Sequence, residues 1–195
     1  DHVLLASELE NAAPAFTLWD DPLMMLFLGG AKLRTSPENQ WYPDMLKYMA
    51  KFTQKINNLP THHADGGDLK FANLLAEAVE SKLILVDNLL DRYQTGKMST
   101  LEKSLADLKD YSTKFDRFAK YYREWWMRNN KPFGFETMQI RFAGQSARIR
   151  ELKVRLKALI SGKADCMPEF DELIQSKGDF YVLNYLNISH GSKII

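Results

Sequence analysis

From Trp41 onward, apolar residues recur at steps of three and four, the period of a helix with one buried face. Trp41, Met45, Tyr48, Phe52, Ile56 and Leu59 make the first such row. Ser36 followed by Pro37 is one candidate start. Pro43 must lie in the first turn or mark a later start, because an interior proline loses a hydrogen bond and clashes with the preceding turn. Pro60 ends the row. The second row is Phe71, Leu75, Val79, Leu83, Val86, Leu90 and Tyr93, and Gly96 follows as a left-handed terminator. Ser99-Thr100-Leu101-Glu102 reads as a capping box. It opens a third row of Leu101, Leu105, Leu108, Tyr111, Phe115, Phe118, Tyr122 and Trp125, which Asn129, Asn130 and Pro132 break. A fourth row runs Phe135, Met138, Phe142, Ile149, Leu152, Leu156 and Leu159 and closes at Gly162. Within it, Ala143, Gly144 and Ala147 leave a shallow groove that a neighbouring backbone could approach. A short helix is expected from Glu169 to Gln175.

Rows of this length with short connections fold most simply as an all-α antiparallel bundle of three to five helices. Residues 36–176 form that bundle. Residues 1–35 are apolar but only partly periodic, punctuated by Pro14, Asp20-Asp21-Pro22 and Gly29-Gly30. They read as a linker or the end of a preceding domain that docks on the bundle. Residues 177–195 read as a short extended tail, with the strand-like stretch from Asp179 to Ile188.

Composition narrows the function classes. The 195 residues are 45% hydrophobic and 26% charged, with a formal net charge of +1, so nothing global points to nucleic acid or a membrane surface. No apolar run reaches the ~18 residues of a membrane span. One cysteine, Cys166, permits no internal disulfide. The chain opens without a signal peptide or an initiating methionine, so a fragment or processed piece is expected, with the cytoplasm favoured over secretion.

Candidate chemistry is sparse. His62, His63, Asp65 and Asp68 could ligate a metal, but no companion cluster stands elsewhere, so a solvated turn with Asp68 capping the next helix is the default, with no metal or cofactor. Asp20-Asp21-Pro22 reads as a helix start. Asp171 and Glu172 are neighbours on a short helix and point about 100° apart. Ten Lys and Arg lie between Lys120 and Lys157, against Glu124, Glu136 and Glu151. They spread around the helix, and acidic residues such as Glu77, Asp87 and Asp107 sit on neighbouring rows, so interhelix pairing is expected rather than nucleic-acid binding. The segment from Tyr121 to Arg148 is the densest in aromatic, cationic and small residues. Tyr122 and Trp125 continue the core row, whereas Tyr121 and Trp126 lie beside it.

The run Tyr122-Arg123-Glu124-Trp125-Trp126-Met127-Arg128-Asn129-Asn130-Lys131-Pro132-Phe133-Gly134-Phe135-Glu136, followed by Ile140-Arg141-Phe142-Ala143-Gly144 and Ala147-Arg148, resembles the C-terminal helical domain of bacterial glycoside hydrolase family 20, the exo-β-N-acetylhexosaminidases. Asp21-Pro22-Leu23-Met24-Met25-Leu26-Phe27 also looks like the segment joining their catalytic barrel to that domain. The resemblance implies a parent enzyme that removes terminal β-linked N-acetylhexosamine by the substrate-assisted route, with an Asp and a Glu in a His-x-Gly-Gly-Asp-Glu motif. This chain departs from that motif: His63-Ala64-Asp65-Gly66-Gly67-Asp68-Leu69 has an extra residue and a Leu where Glu is required. The chain alone is therefore expected to be non-catalytic and to pack on the barrel. Any sugar or interface contacts would come from Trp125, Trp126, Arg128 and Asn129, and a homodimer is compatible. The rival class is a stand-alone interaction module presenting a basic, aromatic face to another protein.

Overall fold

The computed structural model describes residues 14–58 and 66–177. The metal-like group at His62, His63 and Asp65 and the extended tail over 178–195 lie outside the described residues. Seven helices are seen among those described: α1 (Pro14–Trp19), α2 (Leu28–Leu33), α3 (Trp41–Asn57), α4 (Gly66–Thr95), α5 (Met98–Asn129), α6 (Phe135–Ile160) and α7 (Pro168–Gln175). No strand occurs among them, apart from one isolated bridge between Ser36 and Asn39. The protein is an all-α bundle, with α3 to α6 as its long rods.

The breakers act where their chemistry dictates. Pro43 sits in the first turn of α3, where its missing N–H has no partner to lose. Gly96 (φ +65°) turns the chain from α4 into α5, and Gly162 (φ +70°) ends α6, both in the left-handed region that side chains avoid. The capping box is not formed. α5 starts at Met98, one residue before Ser99, and its N-cap Lys97 has no side-chain cap hydrogen bond. Asp68 is not a cap either, because α4 begins at Gly66 and Asp68 falls within the first turn.

Helix α4 is the centre of the molecule. It packs on α1, α2, α3 and α5. The row expected to be buried is accompanied by Leu74, Ala78, Leu85 and Leu89, so most of its circumference is covered. On α5, Leu101, Leu108, Tyr111, Phe115 and Phe118 face inward with Tyr121. Fully burying each such side chain is worth about 1.5–3 kcal/mol before chain entropy is counted. Residues from the leading stretch join this core: Leu18, Trp19, Leu23, Met25 and Leu28 are buried, and Trp19 meets Phe142 edge-on at 5.1 Å.

Candidate functional site

Two places in the bundle concentrate polar chemistry. One is the C-terminal third of α5, where sequence pointed. The other is a buried charge cluster that sequence did not single out.

At the first place, the aromatic row turns differently from expectation. Tyr121 is buried, and Tyr122 and Trp125 are half-buried. The step from Phe118 is three residues rather than four, which keeps the row in line with a 3.6-residue turn. Tyr121 Oη donates to the Gly67 carbonyl at 2.9 Å and accepts from Arg128 Nη2 at 3.0 Å. It thereby ties the first turn of α4 to the last turns of α5. Arg128 also lies over the Tyr121 ring, 5.6 Å from its centroid, and Lys70 Nζ sits 4.6 Å from the same centroid. Each is a cation–π distance.

The four singled-out residues do not converge. Trp125 Nε1 donates to Asp68 Oδ1 at 2.8 Å, and its ring packs 4.7 Å from that of Phe71. Asn129 Nδ2 donates back to the Trp125 carbonyl at 2.8 Å. Trp125, Arg128 and Asn129 therefore belong to the α4 side. Trp126 looks the other way. Its Nε1 donates to the Lys131 carbonyl at 2.9 Å, and its ring stacks on Tyr122 and lies against Phe135. It holds the turn into α6, where Gly134 (φ +92°) takes a left-handed conformation.

A depression of about 260 Å³ opens beside Tyr121, lined by Lys70, Leu74, Arg117, Lys120, Tyr121 and Glu124. Arg117 is held by Glu77 at 3.4 Å. Among the described residues, Lys70, Lys120 and Arg128 have no carboxylate within ion-pair distance. The surroundings thus offer donors and an apolar floor, suited to hydroxyl or carbonyl oxygens of a ligand.

The second place surrounds Lys82, which is fully buried in the middle of α4. Its ammonium donates to the Leu18 carbonyl at 2.9 Å and to the Asp20 carbonyl. It also lies 5.8 Å from the centroid of the buried Tyr111 ring. Gln145 Nε2 from α6 reaches the same Asp20 carbonyl at 2.9 Å and Tyr111 Oη at 3.1 Å. The Asp20 carboxylate accepts from Phe27 N at 3.2 Å and Leu28 N at 3.0 Å, which caps α2 from eight residues away. Asp21 Oδ1 accepts from Leu23 N and Met24 N, and its Oδ2 meets Arg148 Nε at 2.5 Å. Asp20-Asp21-Pro22 therefore does not start a helix, since α1 ends at Trp19 and α2 begins at Leu28: it is the knot that binds the leading segment to α4 and α6. Burial pushes the Asp20 carboxyl up from its ordinary value and pulls the Lys82 ammonium down. The signal available in the sequence was Lys82 itself, the one cation between Ala76 and Leu90 and the residue just before the apolar stretch Leu83-Ile84-Leu85-Val86.

The acids expected to pair with the cations of 120–157 are met by cations outside that set: Arg92 meets Asp107 at 2.6 Å, Arg117 meets Glu77 at 3.4 Å and Lys32 meets Asp87 at 2.5 Å. The α6 cations choose other partners: Arg148 takes Asp21, and Arg155 takes Glu169 of α7 at 2.8 Å. The Gly66-Gly67-Asp68-Leu69 string is the first turn of a helix, not a barrel strand. Among the described residues, no group of three or more His, Cys, Asp or Glu side chains could hold a metal ion. No described helix is long and apolar enough to cross a membrane.

A family model for the Glycoside Hydrolase 20C C-terminal domain matches residues 6–178. The chain belongs to this family. That span takes in the leading segment, all four long helices and α7, so this glycoside hydrolase 20C C-terminal domain includes both places described above. No curated protein matches the chain at a significant level.

Proposed function

We propose that this domain is the non-catalytic C-terminal part of a glycoside hydrolase that removes terminal β-linked N-acetylhexosamine, and that it packs on a catalytic barrel in the same polypeptide. The family match over residues 6–178 carries the reading. The state of the buried acids supports it. Asp20 and Asp21 are engaged by backbone N–H groups and sit beside Lys82 and Arg148, so neither is available as a general acid or base.

In this reading the α4 side of α5 supplies the glycan contacts. Trp125 offers a ring held in place by Asp68, beside the exposed Arg128 and Asn129. Rings of this kind stack on pyranose faces, and the guanidinium and amide donate to hydroxyl or acetamido oxygens. Trp126, tied to Lys131 and packed on Tyr122 and Phe135, holds the turn into α6 instead.

The test uses the full-length protein and a chromogenic β-N-acetylglucosaminide. The full-length protein should turn it over and the isolated domain should not. Trp125→Ala should raise KM severalfold with little change in kcat, the mark of lost substrate binding rather than lost chemistry. An inactive full-length protein would remove the hydrolase reading, and activity in the isolated domain would remove the non-catalytic one.

A further inference from the structure

The depression on the seam between α4 and α5 carries charge that the fold leaves unanswered. Lys70 and Leu74 lie one turn apart on α4. Arg117, Lys120, Tyr121 and Glu124 follow steps of three and four on α5, so both helices present one face to the same space of about 260 Å³. Other cations of this seam have a carboxylate: Arg92 meets Asp107 at 2.6 Å, and Arg117 meets Glu77 at 3.4 Å. Lys70 and Lys120 have none among the described residues, and neither pairs with Glu124, although it lines the same space. The floor beneath them is fixed. Tyr121 is buried, and its hydroxyl is held between the Gly67 carbonyl and Arg128. Lys70 is an exposed residue, yet its ammonium is drawn in over this ring, 4.6 Å from the centroid. Like charges gathered around one concave space repel one another and raise the local concentration of anions.

We infer that this depression is a binding site for a phosphate group, with Lys70 and Lys120 as its principal ligands. Charge sets the class. A phosphate group carries about −1.5 to −2 charges at pH 7 and three strong acceptor oxygens, so it answers two ammonium groups at once. A neutral sugar hydroxyl would leave both lysines uncompensated. A carboxylate brings a single charge and a flat pair of oxygens, which a guanidinium fork matches better than two lysines on different helices. Each lysine offers three rotatable donors and can follow a tetrahedral group. Glu124 opposes the anion, and Glu77 draws Arg117 part-way off, so binding depends on the two lysines. Leu74 and the Tyr121 ring set apolar surface beside the charges, which suits the organic part of a phosphomonoester. The site uses neither Trp125 nor Asn129 and is independent of the hydrolase reading.

The test is calorimetric titration of the full-length protein with phenyl phosphate and with inorganic phosphate. Ionic strength is held constant with sodium chloride, because bulk salt screens exposed charges. Saturable binding at millimolar concentrations is expected. Lys70→Gln and Lys120→Gln should each weaken it at least about fivefold, since each removes a charge-assisted donor. Lys109→Gln, an exposed lysine elsewhere on α5, removes the same charge and should change it by less than about twofold. Glu124→Gln removes the opposing carboxylate and should tighten binding severalfold. Tighter binding of phenyl phosphate than of inorganic phosphate assigns the site to a phosphomonoester, and the reverse order assigns it to the free ion; either order supports the site when the lysine dependence holds. Absence of saturable binding by both probes overturns the inference. So do equal losses in all three lysine variants, which would reflect the general field of the protein, and weaker binding in Glu124→Gln. Hydrolysis of the chromogenic glycoside is measured on the same samples. An active enzyme that binds neither phosphate defeats this inference alone, and lysine-dependent binding in an inactive protein defeats the hydrolase reading alone.

Discussion

The knot around Lys82 and the aromatic end of α5 join helices by opposite means. At the knot, a charge is taken out of water and given fixed oxygen partners from a distant part of the chain. At the aromatic end, rings pack against rings and a few polar bonds at the margin set their angle. The difference teaches which region tolerates change. Ring packing degrades by degrees, because each truncation loses some contact area and its neighbours partly close in. A buried ion with assigned partners does not, because removing one partner strands the other in a medium that cannot solvate it.

Breaking the knot should therefore have the largest effect. Lys82→Met removes a donor from two carbonyls and leaves the Asp20 carboxylate buried without its nearby positive charge; urea denaturation should show a loss of about 3–5 kcal/mol. A loss under 1 kcal/mol would mean the cluster is no more than packing. Acidity sharpens the contrast. The Asp20 carboxyl is raised, so the stability it contributes is present at low pH and is lost as pH climbs through its folded value. Without Lys82 the carboxyl should rise further. The deficit of Lys82→Met should then shrink when denaturation is repeated at pH 5 instead of pH 7. A deficit that grows on acidification would reverse this assignment.

The aromatic end should respond more mildly. Trp125→Ala removes a half-buried ring together with its bond to Asp68, and should cost about 2 kcal/mol in the same denaturation. Trp125→Phe should recover roughly half of that through the contact with Phe71. Equal losses for Ala and Phe would locate the whole effect in the indole N–H. The smallest change is expected at Phe133, which is 85% exposed in the turn between α5 and α6. Phe133→Ser should move the isolated domain by no more than about 0.5 kcal/mol.

The same contrast explains what could be read from the chain. Helix periods, the place of Pro43 and the terminators Gly96 and Gly162 follow from local rules of backbone and spacing, so they were legible. The aromatic segment was legible as a concentration of rings. Its inward edge was misjudged by one position, because adjacent Tyr121 and Tyr122 both lie near the margin of the row. That Trp125 and Trp126 part company was legible too, but not what each one meets. Neighbours on a helix point about 100° apart, and only the structure shows that Asp68 claims one and Lys131 the other. The knot was not legible. Asp20-Asp21-Pro22 fits a helix start on local grounds, and its partners lie about 60 and 125 residues away. No periodicity links positions so far apart, although an isolated lysine within a buried helix was a clue that some distant oxygen had to answer it.

The grip on Leu18, Asp20 and Asp21 has a mechanical consequence. Tension applied to the polypeptide ahead of Pro14 would not peel away a loose strap at the periphery. It would be carried by Lys82, Gln145 and Arg148 straight into the axis of the central rod and its outer neighbour.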